Sequence, residues 1–126
     1  MTLISKKHVN YGNKVSNKAI FCDLDGVLVV WKNSNFNTDD KLIYENVEYL
    51  AKCKQRGDKL ILTTGRSKAN CKNALRQLKS VGVSFDEHLF NVGVGQRLVI
   101  NDKKPTGLKT AFALNTTRNK TFIGEA

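Results

Sequence analysis

The sequence predicts an α/β fold with a central, mainly parallel sheet, and two observations lead to this prediction. Short apolar runs occur at residues 19–22, 60–62, 88–90 and 98–100, and each has the length and composition of a buried strand. The first run suits a strand that is buried on both faces, as strands of parallel sheets are. The segments that separate the first three runs carry apolar residues at helical spacing. This alternation of strands and helices is typical of α/β folds with parallel strands.

The two connecting segments are predicted to be helices with recognisable ends. The first is expected to begin after a cap at Thr38 or Asp39 and to stop at Gly57. The second is expected over residues 67–79. The pattern of residues 110–114 fits a short strand and a short helix equally well.

The length of 126 residues predicts a single domain over 1–126, in which residues 1–18 form a polar, basic N-terminal segment. This segment lacks the apolar centre of a secretory signal, and no run of about 18 apolar residues occurs that would predict a membrane span. The three cysteines are an odd number without a C-x-x-C pair, which indicates reduced thiols. Together these features predict a cytoplasmic protein that does not span a membrane.

The composition is strongly basic. Lysine and arginine number 21 against 11 aspartate and glutamate residues, so the formal net charge is +10. Such a charge favours anionic partners, which include phosphorylated metabolites, nucleotides, nucleic acid and acidic polymers. The basic residues are spread along the chain, however, and a well-solvated surface explains them equally well. The charge therefore narrows the class of partner without naming one.

The chemistry is expected where the first predicted strand ends, at Asp23 and Asp25 followed by Gly26. Two carboxylates two residues apart can share one site and take different roles. One can attack phosphorus, and the other can exchange a proton with the leaving group and with water. Glycine at the next position lets the backbone approach a phosphate closely. A calcium-binding EF-hand loop is excluded, because its further ligands and its closing glutamate are missing.

Polar groups also follow two later strands. Thr64 and Gly65 come directly after the second strand, where a hydroxyl and helix-start amides can hold a phosphoryl oxygen. Taken alone, a Thr-Gly pair is more often a simple turn. Asp102 follows the fourth predicted strand and offers an oxygen ligand of the kind that Mg²⁺ prefers. Because ligands bind at the carboxyl edge of open parallel sheets, we expect these groups to converge there with Asp23 and Asp25.

These motifs, in this order, resemble the haloacid dehalogenase (HAD) superfamily. The likeness covers about residues 19–105, and its motifs are residues 21–28, 64–66 and 100–102. The resemblance implies a HAD-like Rossmannoid fold, with three layers around a central, mainly parallel sheet. The short connections leave no room for a substantial cap domain, so a capless type with an open site is expected.

The same resemblance implies a role for each motif residue. Asp23 would be the nucleophile and a Mg²⁺ ligand, Asp25 the general acid and base and a ligand through its backbone carbonyl, and Asp102 a further ligand. Asn101 stands where the family often has a second acidic residue. The family usually also has a phosphate-binding lysine before the last motif, and none occurs between positions 79 and 103. The residues expected to bind the substrate's phosphate are Gly26, Thr64, Gly65, Arg66, Arg97 and Lys103, and one of the last three is expected to replace that lysine.

The predicted function is Mg²⁺-dependent hydrolysis of a phosphomonoester through an aspartyl-phosphate, with a sugar phosphate or a nucleotide as the substrate. A polynucleotide 3′-phosphatase stays open as an alternative that the basic charge favours. A HAD-like module that binds phosphate or nucleic acid without turnover also stays open, as does phosphoryl transfer to a hydroxyl other than water. The oligomeric state is left open too, since a neighbouring subunit or the N-terminal segment could roof an open site.

Overall fold

The computed structural model describes residues 17–122 and is built around three parallel strands. They are β1 (Ala19–Asp23), β2 (Lys59–Thr63) and β3 (Glu87–Leu89), and they lie in the order β1-β2-β3. This sheet confirms the predicted α/β class. The predicted N-terminal segment lies outside the described residues apart from positions 17 and 18.

Helices occupy both connections of the sheet. α1 (Tyr44–Gln55) joins β1 to β2, and α2 (Lys72–Ser80), which follows a 3₁₀ turn at Ala69–Cys71, joins β2 to β3. Within residues 17–122 no cap domain is inserted into either connection, which confirms the predicted capless architecture. No helix in that range is long and apolar enough to cross a bilayer.

The predicted cap of the first helix is wrong, whereas its predicted end is correct. Thr38 donates its hydroxyl hydrogen to the Asn35 carbonyl (2.8 Å), and Asp39 binds Arg76 at 2.7 Å, so neither side chain caps α1. α1 ends just before Gly57, whose φ of +99° is a conformation that glycine adopts without strain.

The core joins the sheet to both helices. Its side chains come from β1 and β2, from the loop after β1, from both helices and from position 122, and they include Cys22, Leu24, Leu28, Val47, Leu50, Leu60, Leu62, Ala74, Leu78 and Phe122. Burial of each leucine contributes about 1.5–3 kcal/mol, so this cluster supplies the main drive to fold. Cys22, Cys53 and Cys71 are free and buried, which agrees with the prediction of reduced thiols.

Two strand predictions need correction. β1 alternates between buried and exposed positions, with Phe21 57% exposed, and is not buried on both faces. Its side chains alternate between two faces, and the face that carries Phe21 does not meet the core. The predicted strand at residues 98–100 is not formed, and all three side chains are exposed. Residues 110–114 form neither a strand nor a helix.

Candidate active site at the carboxyl edge of the sheet

Asp23 stands at the end of β1, and the sheet register sets it beside Thr63 of β2. Its Oδ1 accepts a hydrogen bond from the Leu24 backbone N–H (2.8 Å), which fixes the orientation of the carboxylate. Desolvation by the surrounding protein raises the pKa of Asp23, and the nearby charge of Asp25 raises it further. The Leu24 N–H and the positive charge of Arg97 act in the opposite direction, but the pKa remains above its ordinary value.

The loop after β1 folds back tightly on Leu24. The Leu24 carbonyl accepts the N–H groups of Val27, Leu28 and Val29, at 3.3, 2.9 and 3.1 Å, and the Leu24 side chain is fully buried. Gly26 adopts φ +83°, and an added Cβ there would lie 3.2 Å from Cγ of Arg118. This tight turn holds Asp25 at the same edge of the sheet as Asp23.

Asp25 is held by Arg66. The guanidinium donates to Oδ1 of Asp25 from Nε (3.2 Å) and Nη2 (2.7 Å), and to Oδ2 from Nε (3.1 Å). Arg66 is buried and also binds Asp40 (Nη2 to Oδ1, 2.9 Å). Burial alone would lower the pKa of Arg66, but hydrogen bonds to the two carboxylates outweigh it and raise that pKa. The guanidinium is therefore directed at the protein's own carboxylates, and its predicted contact with the substrate's phosphate stays a prediction.

Thr64 and Gly65 form the turn that leads from β2 towards α2. The Thr64 side chain is fully buried, and its Oγ1 accepts the Arg66 backbone N–H at 3.1 Å. The Thr64 backbone N–H donates to the Leu89 carbonyl at 3.0 Å, so the turn is tied to β3. At Gly65 an added Cβ would lie 3.3 Å from the Val92 carbonyl oxygen, which explains the absence of a side chain there. The predicted Thr-Gly motif thus sits next to the two aspartates.

Arg97 differs from the other two basic candidates. Of Arg66, Arg97 and Lys103, it is the one whose charge acts on Asp23. Its Nη1 donates to the carbonyls of Gly93 and Gly95, both at 2.7 Å, so the loop curls around the guanidinium. Whether Arg97 supplies the charge of the missing family lysine stays a prediction.

The structure does not bring Asp102 to the pair of aspartates. Among residues 17–122 there is no cluster of three aspartate, glutamate, histidine or cysteine side chains fit to hold a metal ion. Asp102 is exposed, and its backbone carbonyl accepts the Thr110 hydroxyl at 2.7 Å. It lines a shallow surface pocket with Asn101, Lys103 and Lys109. The cause is the unformed fourth strand, since only a strand in the sheet would carry Asp102 to this edge.

The oxygen atoms of the first motif are suitable ligands for a hard divalent cation. The Asp23 Oδ2 and the Asp25 backbone carbonyl accept no hydrogen bond from any residue in the described range 17–122. Both are oxygen atoms, as Mg²⁺ prefers, and Mg²⁺ needs few protein ligands because water and substrate complete its shell. The set expected from the resemblance has only two carboxylate side chains, Asp23 and Asp102, and the role of the second stays a prediction.

Several residues that shape this site carry no sequence motif. Asp40 is buried and shares Arg66 with Asp25, and Asn119 donates its backbone N–H to the Gly26 carbonyl at 2.8 Å. Neither position belongs to a recognisable pattern, and their partners are tens of residues away. The only local feature that marks Asp40 in the sequence is its position next to Asp39, and of these two aspartates only Asp40 is buried.

A comparison with models of protein families identifies the family of the chain. The model of the haloacid dehalogenase-like hydrolases matches residues 20–89, more than half of the sequence. The chain belongs to the haloacid dehalogenase-like hydrolases. The matched range contains Asp23, Asp25 and the turn at 64–66, and it ends before Arg97 and Asp102. Comparisons with curated proteins and with solved structures gave no significant match.

Proposed function

We propose that this HAD-like hydrolase is a Mg²⁺-dependent phosphomonoesterase whose nucleophile is Asp23. The observation that carries the proposal is the pairing of Asp23 and Asp25 at the carboxyl edge of the sheet, with the charge of Arg97 acting on Asp23. Binding alone would need a cation near the phosphate. Binding alone needs no carboxylate that exchanges protons, whereas hydrolysis of an ester does.

The reaction would run in two in-line displacements. An Asp23 carboxylate oxygen attacks phosphorus, the bond from phosphorus to the ester oxygen breaks, and the leaving oxygen takes the proton of Asp25. A water oxygen then attacks the aspartyl-phosphate, the bond from phosphorus to Asp23 breaks, and the water's proton passes to Asp25. Inorganic phosphate leaves, and both carboxyl groups return to their starting states.

The phosphoryl oxygens need neutralising and positioning groups. Arg97 would supply positive charge from the side of Asp23. The Thr64 hydroxyl and the Gly65 backbone N–H would hold a phosphoryl oxygen, and Gly26 would let the backbone approach it closely. Lys103 would add charge from the segment that follows. Bound Mg²⁺, held by Asp23 and the Asp25 carbonyl, would offset the negative charge of the transferring group. Asp102 would become a further ligand only when residues 98–100 join the sheet as a strand.

The substrate would be a small phosphate ester, and a sugar phosphate or a nucleotide fits best. No cap domain encloses the carboxyl edge within residues 17–122, so large substrates are not excluded by the fold. Together with the net charge of +10, this keeps a polynucleotide 3′-phosphate as the second candidate. Free, buried cysteines fit a reducing compartment such as the cytoplasm.

A module that binds phosphate without turnover is favoured by one observation, the separation of Asp102 from the aspartate pair. A phosphate-release assay over sugar phosphates, nucleotides and 3′-phosphorylated oligonucleotides, with and without Mg²⁺, separates the candidates. Wild type should release phosphate only with the metal, and Asp23→Asn should reduce turnover to background.

The matched control for that assay is Asp39→Asn, because Asp39 is an exposed aspartate that pairs with Arg76 on the surface. It should retain wild-type turnover. Oligonucleotide turnover that weakens steeply with salt would favour the polynucleotide substrate. Binding of phosphate esters without release of phosphate from any of them would overturn the proposal and leave the binding module.

A further inference from the structure

The contacts between Arg66 and Asp25 fix the plane of a carboxylate. Three hydrogen bonds, at 2.7, 3.1 and 3.2 Å, reach both of its oxygens, and two guanidinium nitrogens take part. Paired contacts of this kind define orientation as well as distance. Without them the Asp25 side chain, which is 18% exposed, would be free to rotate at the end of a loop.

Arg66 is itself anchored from the opposite side. Asp40 binds its Nη2 at 2.9 Å, the Asn70 carbonyl accepts its Nη1 at 3.0 Å, and the Phe36 ring lies 4.5 Å from the guanidinium carbon. Arg66 therefore keeps its place independently of Asp25.

Asp40 is fixed in turn by both backbone and side-chain contacts. Its backbone N–H and carbonyl bind the Gln77 side chain at 2.8 and 2.9 Å, and its carboxylate lies 3.2 Å from the Lys32 ammonium. The Asp40 side chain is fully buried. Asp40 therefore gives the buried Arg66 guanidinium a second carboxylate partner, besides Asp25.

We propose that Arg66, with Asp40 as its counter-ion, is a positioning residue that aims Asp25 at the leaving oxygen of the substrate. This inference rests on the proposed phosphatase function. Each carboxylate oxygen has two lone pairs, and Oδ2 of Asp25 accepts only one bond from Arg66, from Nε. Oδ2 therefore keeps an open position for the proton, while Oδ1 is held by two contacts.

The test compares two substrates that differ in their need for a proton. An alkyl phosphate has a poor leaving group that must be protonated, whereas 4-nitrophenyl phosphate releases an anion that is stable without one. Positioned proton transfer contributes on the order of 100-fold or more to rate. Asp25 also takes the water's proton in the second displacement, which is the same for both substrates, so the comparison uses kcat/KM, which reports the first displacement. Arg66→Gln should therefore lower kcat/KM for the alkyl phosphate at least about tenfold more than for the nitrophenyl ester.

Two further variants control for stability and for charge. Arg76→Gln removes an exposed arginine that pairs with Asp39, and it should leave the ratio of the two kcat/KM values at the wild-type level. Arg66→Gln leaves Asp25 without its cation and Asp40 with Lys32 alone. Arg66→Gln/Asp40→Asn removes the charge of Asp40 as well, and it should show the same loss selective for the alkyl phosphate.

The outcomes separate this inference from the proposed function. Equal losses of kcat/KM on both substrates in the folded double variant would show a merely structural role for Arg66, or a phosphate contact where the loss lies in KM alone. Either result overturns the inference while the phosphatase function stands. Failure of wild type to hydrolyse either ester would overturn both.

Discussion

Asn46 offers the sharpest stability prediction, because its buried side chain joins three segments of the chain. Its Nδ2 donates to the Val27 carbonyl (2.7 Å) in the loop after β1 and to the Lys120 carbonyl (3.0 Å), and its Oδ1 accepts the Phe122 backbone N–H (3.0 Å). Phe122 packs edge-on against Tyr49 of α1, with ring centroids 5.3 Å apart. Asn46 therefore ties residues 120–122 and the loop that carries Asp25 to α1.

Replacing Asn46 by alanine removes all three hydrogen bonds. At about 1 kcal/mol each, they give a loss of about 3 kcal/mol in the free energy of unfolding. Alanine's better helix propensity returns roughly 0.5 kcal/mol, so the net loss should be about 2.5 kcal/mol. Urea unfolding measures this loss as a lower midpoint at unchanged slope.

The control is Asn33→Ala, which removes an exposed asparagine before α1. It should change the free energy of unfolding by less than about 0.5 kcal/mol. A loss below about 1 kcal/mol for Asn46→Ala would mean that its three hydrogen bonds do not hold these segments together, and it would refute the reasoning.

Three further predictions concern the rest of the fold. A hydrogen bond from Lys54 and, to a lesser extent, one from a backbone N–H of β2 lower the pKa of Asp86. The ionised Asp86 therefore stabilises the fold at pH values above its ordinary pKa, and this stabilisation is lost as the pH falls through the lowered pKa. Asp86→Asn should therefore flatten the acid limb of a plot of stability against pH, and an unchanged limb would contradict the prediction. Burial, and to a lesser extent neighbouring charges, raise the pKa of the Cys22 thiol to about 12, so a thiol reagent at mildly alkaline pH should label it only after unfolding. Gly26→Ala should lower the free energy of unfolding by about 1–2 kcal/mol, because the turn would hold alanine in a left-handed conformation and its Cβ would crowd Arg118. An unchanged free energy of unfolding would contradict the conformation of that turn.

The elements that sequence reasoning predicted well are those with local, repeating signals. The three strands of the sheet and the presence of both helices follow apolar runs and helical spacing, and the end of α1 follows from Gly57, which has a positive φ. Both helices begin later than predicted, at Tyr44 and Lys72. The adjacency of Asp23 and the Thr64 turn also follows from topology, because neighbouring parallel strands end at one edge.

The remaining features depend on partners that no local pattern reveals. The run at 98–100 has the composition of a strand, but a strand also needs a neighbouring strand to which its backbone can hydrogen-bond. No strand forms there in the described range 17–122, and the three side chains are exposed. Arg66 was expected among the basic residues that could replace the family's phosphate-binding lysine, and that role stays a prediction. The contact of Arg66 with Asp40 could not be predicted, because Asp40 lies 26 residues earlier and belongs to no motif.

The proposed function depends most on the attack of an Asp23 carboxylate oxygen on phosphorus. Wild-type protein would be mixed with Mg²⁺ and a hydrolysed phosphate ester, quenched rapidly and reduced with borohydride, which converts an aspartyl-phosphate to homoserine. Mass spectrometry should then find homoserine at position 23, and none in Asp23→Asn. Phosphate release without any modification at position 23, or with the modification at Asp25, would contradict the assignment.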